Sequence, residues 1–141
     1  MRAIAEGLFT YRSGLDAADQ LLELAEPPSA IFASNDDMAA ATVAIAHRRG
    51  LDVPGDLTVC GFDDTALATT IWPELTTIRQ PVTEMSRIAV ELLVHAIRMQ
   101  KAGRSAEIKE PHLLADYALI RRQSDAAPRR RPTTGRGRVV R

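Results

Sequence analysis

The chain has 141 residues, 45% of them hydrophobic, eighteen Lys/Arg balanced by eighteen Asp/Glu, and one cysteine, Cys60. That suffices for one domain with a core, no apolar run nears the roughly 18 residues of a membrane-spanning helix, and a single cysteine excludes an internal disulfide or a cysteine-built zinc site. The zero net charge divides unevenly: residues 1–120 hold ten Lys/Arg against seventeen Asp/Glu, and residues 121–141 hold eight Arg against one Asp.

The opening MRAIAEGLFTYRSG lacks the apolar core of a secretion signal, so a cytoplasmic location is expected. In SGLDAADQLLELAE, Ser13 suits an N-cap and Asp16 favours the first-turn amides. Leu15, Ala18, Leu22 and Ala25 fall at helical spacing, and Pro27 and Pro28 end the segment. AIFA (30–33) then reads as a short buried strand. SNDDMAAATVAIAHRRG reads as a helix capped within Ser34 to Asp36 and stopped by Gly50.

LTVCGF (57–62) is a second buried strand, with Cys60 as a small strand residue. TTIR (76–79) is a third, and PVTEMSRIAVELLVHAIRMQKAG a long helix ended by Gly103. Its residues Met85, Ile88, Leu92, Val94 and Ile97 form an apolar stripe that needs a partner. HLL (112–114) and YALIRR (117–122) read as closing strands. Trp72 is expected in the core, and His47, His95 and His112 are scattered without ligand spacing. From Ala126, AAPRRRPTTGRGRVVR lacks apolar periodicity and reads as a disordered Arg-rich tail over 126–141, following a domain at 1–125.

Strands alternating with helices imply an α/β fold built on a parallel sheet flanked by helices. Ligands of such sheets sit at the carboxyl ends of the strands. Asn35 and Asp63 each lie just past a strand end and should face one crevice. The acids Asp63 and Asp64 lack the convergent oxygens of a calcium or magnesium site. No nucleophile with a paired base, phosphate loop or HExxH motif is present, so neither catalysis nor a metal or cofactor is expected.

The series PSAIFASNDDMAAA, RRGLDVPGDLTVCGFDDT, PELTTIRQP, EMSRIAVELL and LIRRQS, in unbroken order over residues 7–124, resembles the carboxyl-terminal part of the LacI/GalR family of transcriptional regulators. The resemblance implies a partial periplasmic-binding-protein-like type I fold, mostly its second subdomain, sensing a small-molecule effector of the sugar class. It implies ligand contacts at four positions. Phe9 stacks on a sugar or base, Asn35 bonds hydroxyls, Asp63 bonds hydroxyls or a base nitrogen, and Gln80 lies at the hinge. Phe9 equally suits packing, Asn35 a helix cap, and Gln80 a bond to hinge backbone. Asp64 is then a structural acid that fixes its loop. A homodimer is implied, with Ala40, Ala44, Leu67 and Ile71 facing the second subunit.

Members of that family begin with a helix-turn-helix and a first subdomain, and the sequence shows neither. The expectation is a truncated or mis-started regulator that meets DNA only through the missing domain, with weak effector affinity and self-association through the orphaned stripe of residues 83–102. Two alternatives stand beside it. One is a transport-type sugar-binding protein, and the other is a small protein that holds nucleic acid through its basic tail without sequence preference.

Overall fold

The computed structural model describes residues 3–103 and 114–127. The first helix, α1 (Tyr11–Leu22), starts earlier than its apolar pattern indicates, because Thr10 is the N-cap. Thr10 Oγ1 accepts from the Ser13 backbone N–H at 3.2 Å, while Ser13 Oγ accepts from the Thr10 N–H at 3.4 Å, a reciprocal capping box. Ser13 is therefore the third residue of the helix and not its cap. Ala17, Ala18 and Leu22 are buried, but Ala25 lies beyond the helix end and is exposed.

Strand β1 (Ala30–Phe32) leads into α2 (Asp36–Arg48), capped by Asn35 and followed by Gly50 at φ +72°, a left-handed position that glycine takes without strain. The two helices touch closely: a Cβ on Gly14 would stand 2.7 Å from Met38 Cα and 2.9 Å from Ala41 Cβ. At their ends Arg49 donates to Asp19 at 2.6 Å, to Glu23 at 3.2 Å and to the Leu22 carbonyl at 3.3 Å.

Strand β2 (Thr58–Asp63), the short helix α3 (Leu67–Thr70), strand β3 (Thr76–Arg79), the long α4 (Val82–Lys101) and strand β4 (Ala118–Ile120) complete the order. The sheet runs β1-β2-β3-β4, with β1, β2 and β3 parallel and β4 antiparallel to β3. The wholly parallel sheet expected from strand–helix alternation is thus corrected at its last strand. YALIRR contributes only Ala118–Ile120, Leu114 of HLL is not in a strand, and residues 112–113 lie outside the described residues.

One face of the sheet is covered. Ile31, Ala33, Leu57, Val59 and Leu75 pack with Ala39, Val43 and Ala46 of α2 in a core that also takes in Ala18 and Leu22. The other face is partly open, with Phe32 63% exposed and Leu119 57% exposed. Helix α4 has no buried residue; Met85, Leu92, Val94 and Ile97 are exposed and Ile88 is half-buried. Trp72 does not enter the core: it is 71% exposed and stacks on His47 with ring centroids 5.8 Å apart.

The chain after β4 stitches the strands together. Ser124 is fully buried, its Oγ donating to the Val59 carbonyl at 2.6 Å and accepting from the Thr76 N–H at 2.9 Å. Ala126, assigned by composition to the tail, bonds Thr58 Oγ1 through both its carbonyl and its N–H. Residues 128–141, the bulk of the Arg-rich segment, lie outside the described residues.

Candidate functional site

Parallel pairing brings three strand ends to one edge. The register sets Phe32 beside Cys60, Cys60 beside Thr76, and Asp63 beside Arg79. Asp63, expected just past its strand, is the last residue of β2; Asp64 and Gln80 directly follow β2 and β3, and Asn35 lies three residues after β1, so the candidates are gathered at one edge of the sheet.

The four candidate residues form two bonded pairs. Asn35, 8% exposed, uses Oδ1 to accept from the Met38 N–H at 2.9 Å and Nδ2 to donate to the Phe9 carbonyl at 2.9 Å. Its amide thus caps α2 and anchors the loop before α1. Phe9 has φ +57° and a ring 66% exposed, so it is presented to solvent and not packed. Asp63, half-buried with φ +106°, accepts at Oδ1 from Gln80 Nε2 at 2.7 Å. Its Oδ2 accepts no hydrogen bond from the described residues.

Asp64 is turned away from this use. Its side chain is 5% exposed and accepts from Arg79 Nε at 2.5 Å and Arg122 Nη2 at 2.6 Å. Burial alone would raise its pKa, but the hydrogen bonds and charges of Arg122 and Arg79 outweigh that and hold it below the usual carboxylate range. The two acids therefore serve different partners and do not converge on one point. Burial, aided by the charge of Asp125, pushes the half-buried Cys60 thiol above its ordinary value, which disfavours the reactive thiolate.

A third acid was not singled out from the sequence. Asp36 is fully buried at the start of α2, with Oδ1 accepting from Thr77 Oγ1 at 2.6 Å and Oδ2 from the Thr65 N–H at 2.7 Å and hydroxyl at 3.1 Å. It joins the start of α2 to β3 and to the turn after Asp64. A Cβ on Gly61 would stand 2.4 Å from Asp36 Oδ1, so the strand approaches this carboxylate as closely as a glycine permits. A cleft of 310 Å³ beside the site is lined by Phe62, Ile78, Gln80, Pro81, Met85 and Tyr117, with Ala115 and Asp116.

Of the residues expected at a subunit interface, Ala40 is 4% exposed inside the chain's own core, whereas Ala44, Leu67 and Ile71 are half-buried. No helix among the described residues is long and apolar enough to cross a membrane.

The profile of the periplasmic binding protein-like domain matches residues 2–124. Catabolite control protein A of Priestia megaterium is 40% identical over 109 residues, covering 77% of this chain and 32% of that protein. The HTH-type transcriptional repressor CytR of Escherichia coli K12 is 40% identical over 111 residues, covering 79% of this chain and 33% of the repressor. The structure of the transcriptional regulator CelR in complex with cellobiose superposes with a TM-score of 0.74 at 32% identity, over 84% of this chain and 34% of that one. The chain spans about a third of the length of the curated relatives it matches. It belongs to the periplasmic binding protein-like domain family, and it matches the ligand-binding region of LacI-type transcriptional regulators.

Proposed function

We propose that this chain is the effector-sensing part of a LacI-type regulator and takes a small molecule of the sugar class at the edge formed by Phe9, Asp63 and Gln80. The observation that carries this reading is the Asp63–Gln80 pair, bonded at 2.7 Å between the last residue of β2 and the residue after β3, with one carboxylate oxygen free of protein donors among the described residues. A free carboxylate oxygen accepts from hydroxyls, an adjacent amide donates and accepts, and an exposed aromatic ring covers the C–H face of a sugar. Asn35 contributes by holding Phe9. The CelR structure, which contains cellobiose, supports the sugar class.

The role is binding and not catalysis, in the cytoplasm. It is exercised by a homodimer docked at the surface carrying Ala40, Ala44, Leu67 and Ile71, of which Ala40 is 4% exposed. In the parent protein the effector acts by binding two states unequally, which changes the affinity for DNA at a separate domain.

Heteronuclear NMR during titration with cellobiose and with ribose tests the reading. The exposed Phe9 ring and half-open Asp63 bury a ligand only in part, so the affinity expected is about 1 mM. Shifts should concentrate at Phe9, Asp63 and Gln80 and vanish in Asp63→Asn. Shifts elsewhere, or none with either sugar, would contradict it.

A further inference from the structure

The turn that presents Asp63 is an unusual piece of backbone. Asp63 at φ +106° and Asp64 at φ +54° are consecutive non-glycine residues in the left-handed half of conformational space, and such a pair persists only where its surroundings hold it. The surroundings do so from two directions. Asp36 takes the Thr65 N–H and hydroxyl on one side. On the other, Asp64 binds Arg79 and Arg122.

These two arginines belong to chain segments with other duties. Arg79 is the last residue of β3 and directly precedes Gln80, Pro81 and α4. Arg122 lies two residues beyond β4 and is itself fastened to the sheet, its N–H donating to Thr76 Oγ1 at 2.8 Å and its Nη1 to the Leu75 carbonyl at 2.8 Å. One buried carboxylate, adjacent in sequence to the ligand acid, thus gathers the exit from β3 and the segment after β4.

We propose that Asp64 is a positioning residue for effector binding, which fixes the left-handed turn that presents Asp63 and couples that turn to the segments carrying Arg79 and Arg122. The proposal rests on Asp63 being a ligand group. A displacement of α4, which continues directly from Gln80, pulls on Arg79 and through Asp64 on the Asp63 backbone. Ligand at Asp63 exerts the same pull in reverse, as reciprocity of coupling requires.

Amide hydrogen exchange by NMR on the full chain tests this without any ligand, in Arg79→Gln, Arg79→Lys, Arg122→Gln and Asp64→Asn. Losing a charged hydrogen bond to the turn should speed exchange at Thr65, whose N–H is held by Asp36 Oδ2, roughly tenfold or more in Arg122→Gln and Asp64→Asn, and less in Arg79→Gln. Arg79→Lys, which keeps a cationic donor, should restore protection, and Val43 in α2 should exchange as in the wild type throughout. Wild-type exchange at Thr65 in all four variants, or equal loss at Thr65 and Val43, overturns the proposal. Should Asp64→Asn fail to fold, the comparison of Arg79→Gln with Arg79→Lys decides alone. A companion titration with cellobiose separates the two readings: intact coupling without cellobiose shifts at Asp63 leaves the positioning of the turn standing and removes the sugar assignment.

Discussion

Asp63 and Asp64 both have positive φ and have opposite fates, decided by partners distant in sequence. Among the described residues Asp63 Oδ2 has no donor, whereas Asp64 is closed by Arg122, 58 residues away, and by Arg79. The fate of Asp64 sets a pH dependence. Its native pKa lies below the unfolded value, so its ion pairs stabilise the fold above about pH 4 and that stabilisation is lost as pH falls through the depressed native value. Asp125 acts in the same direction through its hydrogen bond to Arg121. Thermal melts between about pH 4 and pH 2 should therefore show a falling midpoint, with a shallower slope in Asp64→Asn; equal slopes would contradict the assignment. Asn35→Ala removes both a helix cap and the Phe9 anchor and should cost about 1–2 kcal/mol in denaturant unfolding. The sequence makes Asn35 and the acid pair visible, because strand ends are where such groups matter. It does not separate Asp36 from Asp37, since burial of one and not the other depends on Thr65 and Thr77 arriving from elsewhere.

Helices α1 and α2 and the first three strands are legible because their apolar spacing is also their packing; α4 is legible from a stripe that stays exposed, and the four-residue α3 carries no such pattern. Gly50 and Gly103 mark the ends of α2 and α4, and both adopt positive φ. The misreadings arise where two residues suit one role or where packing is not local. Thr10 and Ser13 both suit a cap and occupy the two ends of one capping box. Trp72 looks like core by residue type, yet it lies exposed on His47. Strand β4 is antiparallel to β3 although a helix lies between them in sequence, an order that ordinarily gives a parallel pair, so no local pattern encodes its direction. The α1–α2 contact gives a direct test of packing. Gly14→Ala drives a methyl group against the Met38 backbone, where only a shift of one helix relieves it, and should destabilise by about 1–3 kcal/mol. An unchanged midpoint in urea would show that the helices are not held this closely.

Taken entire, the described chain is a half-covered sheet with a long helix that buries nothing. Parallel strands are ordinarily covered on both faces, and exposed apolar surface of this extent promotes association. Sedimentation of the isolated chain should show self-association that grows with concentration. Leu93→Glu, at a position 61% exposed on α4, should reduce it without lowering the melting temperature. A monodisperse monomer at all concentrations would contradict this. The chain spans about a third of each curated relative, and Phe9 of the candidate site is 66% exposed. Whether Asp63 with Gln80 and Phe9 forms a sugar-binding edge is decided by an electron-density map of the chain crystallised with cellobiose. Sugar hydroxyls on Asp63 Oδ2 with a ring face against Phe9 are expected; a sugar seated elsewhere, with Asp63 bonded only to Gln80, would rule the edge out.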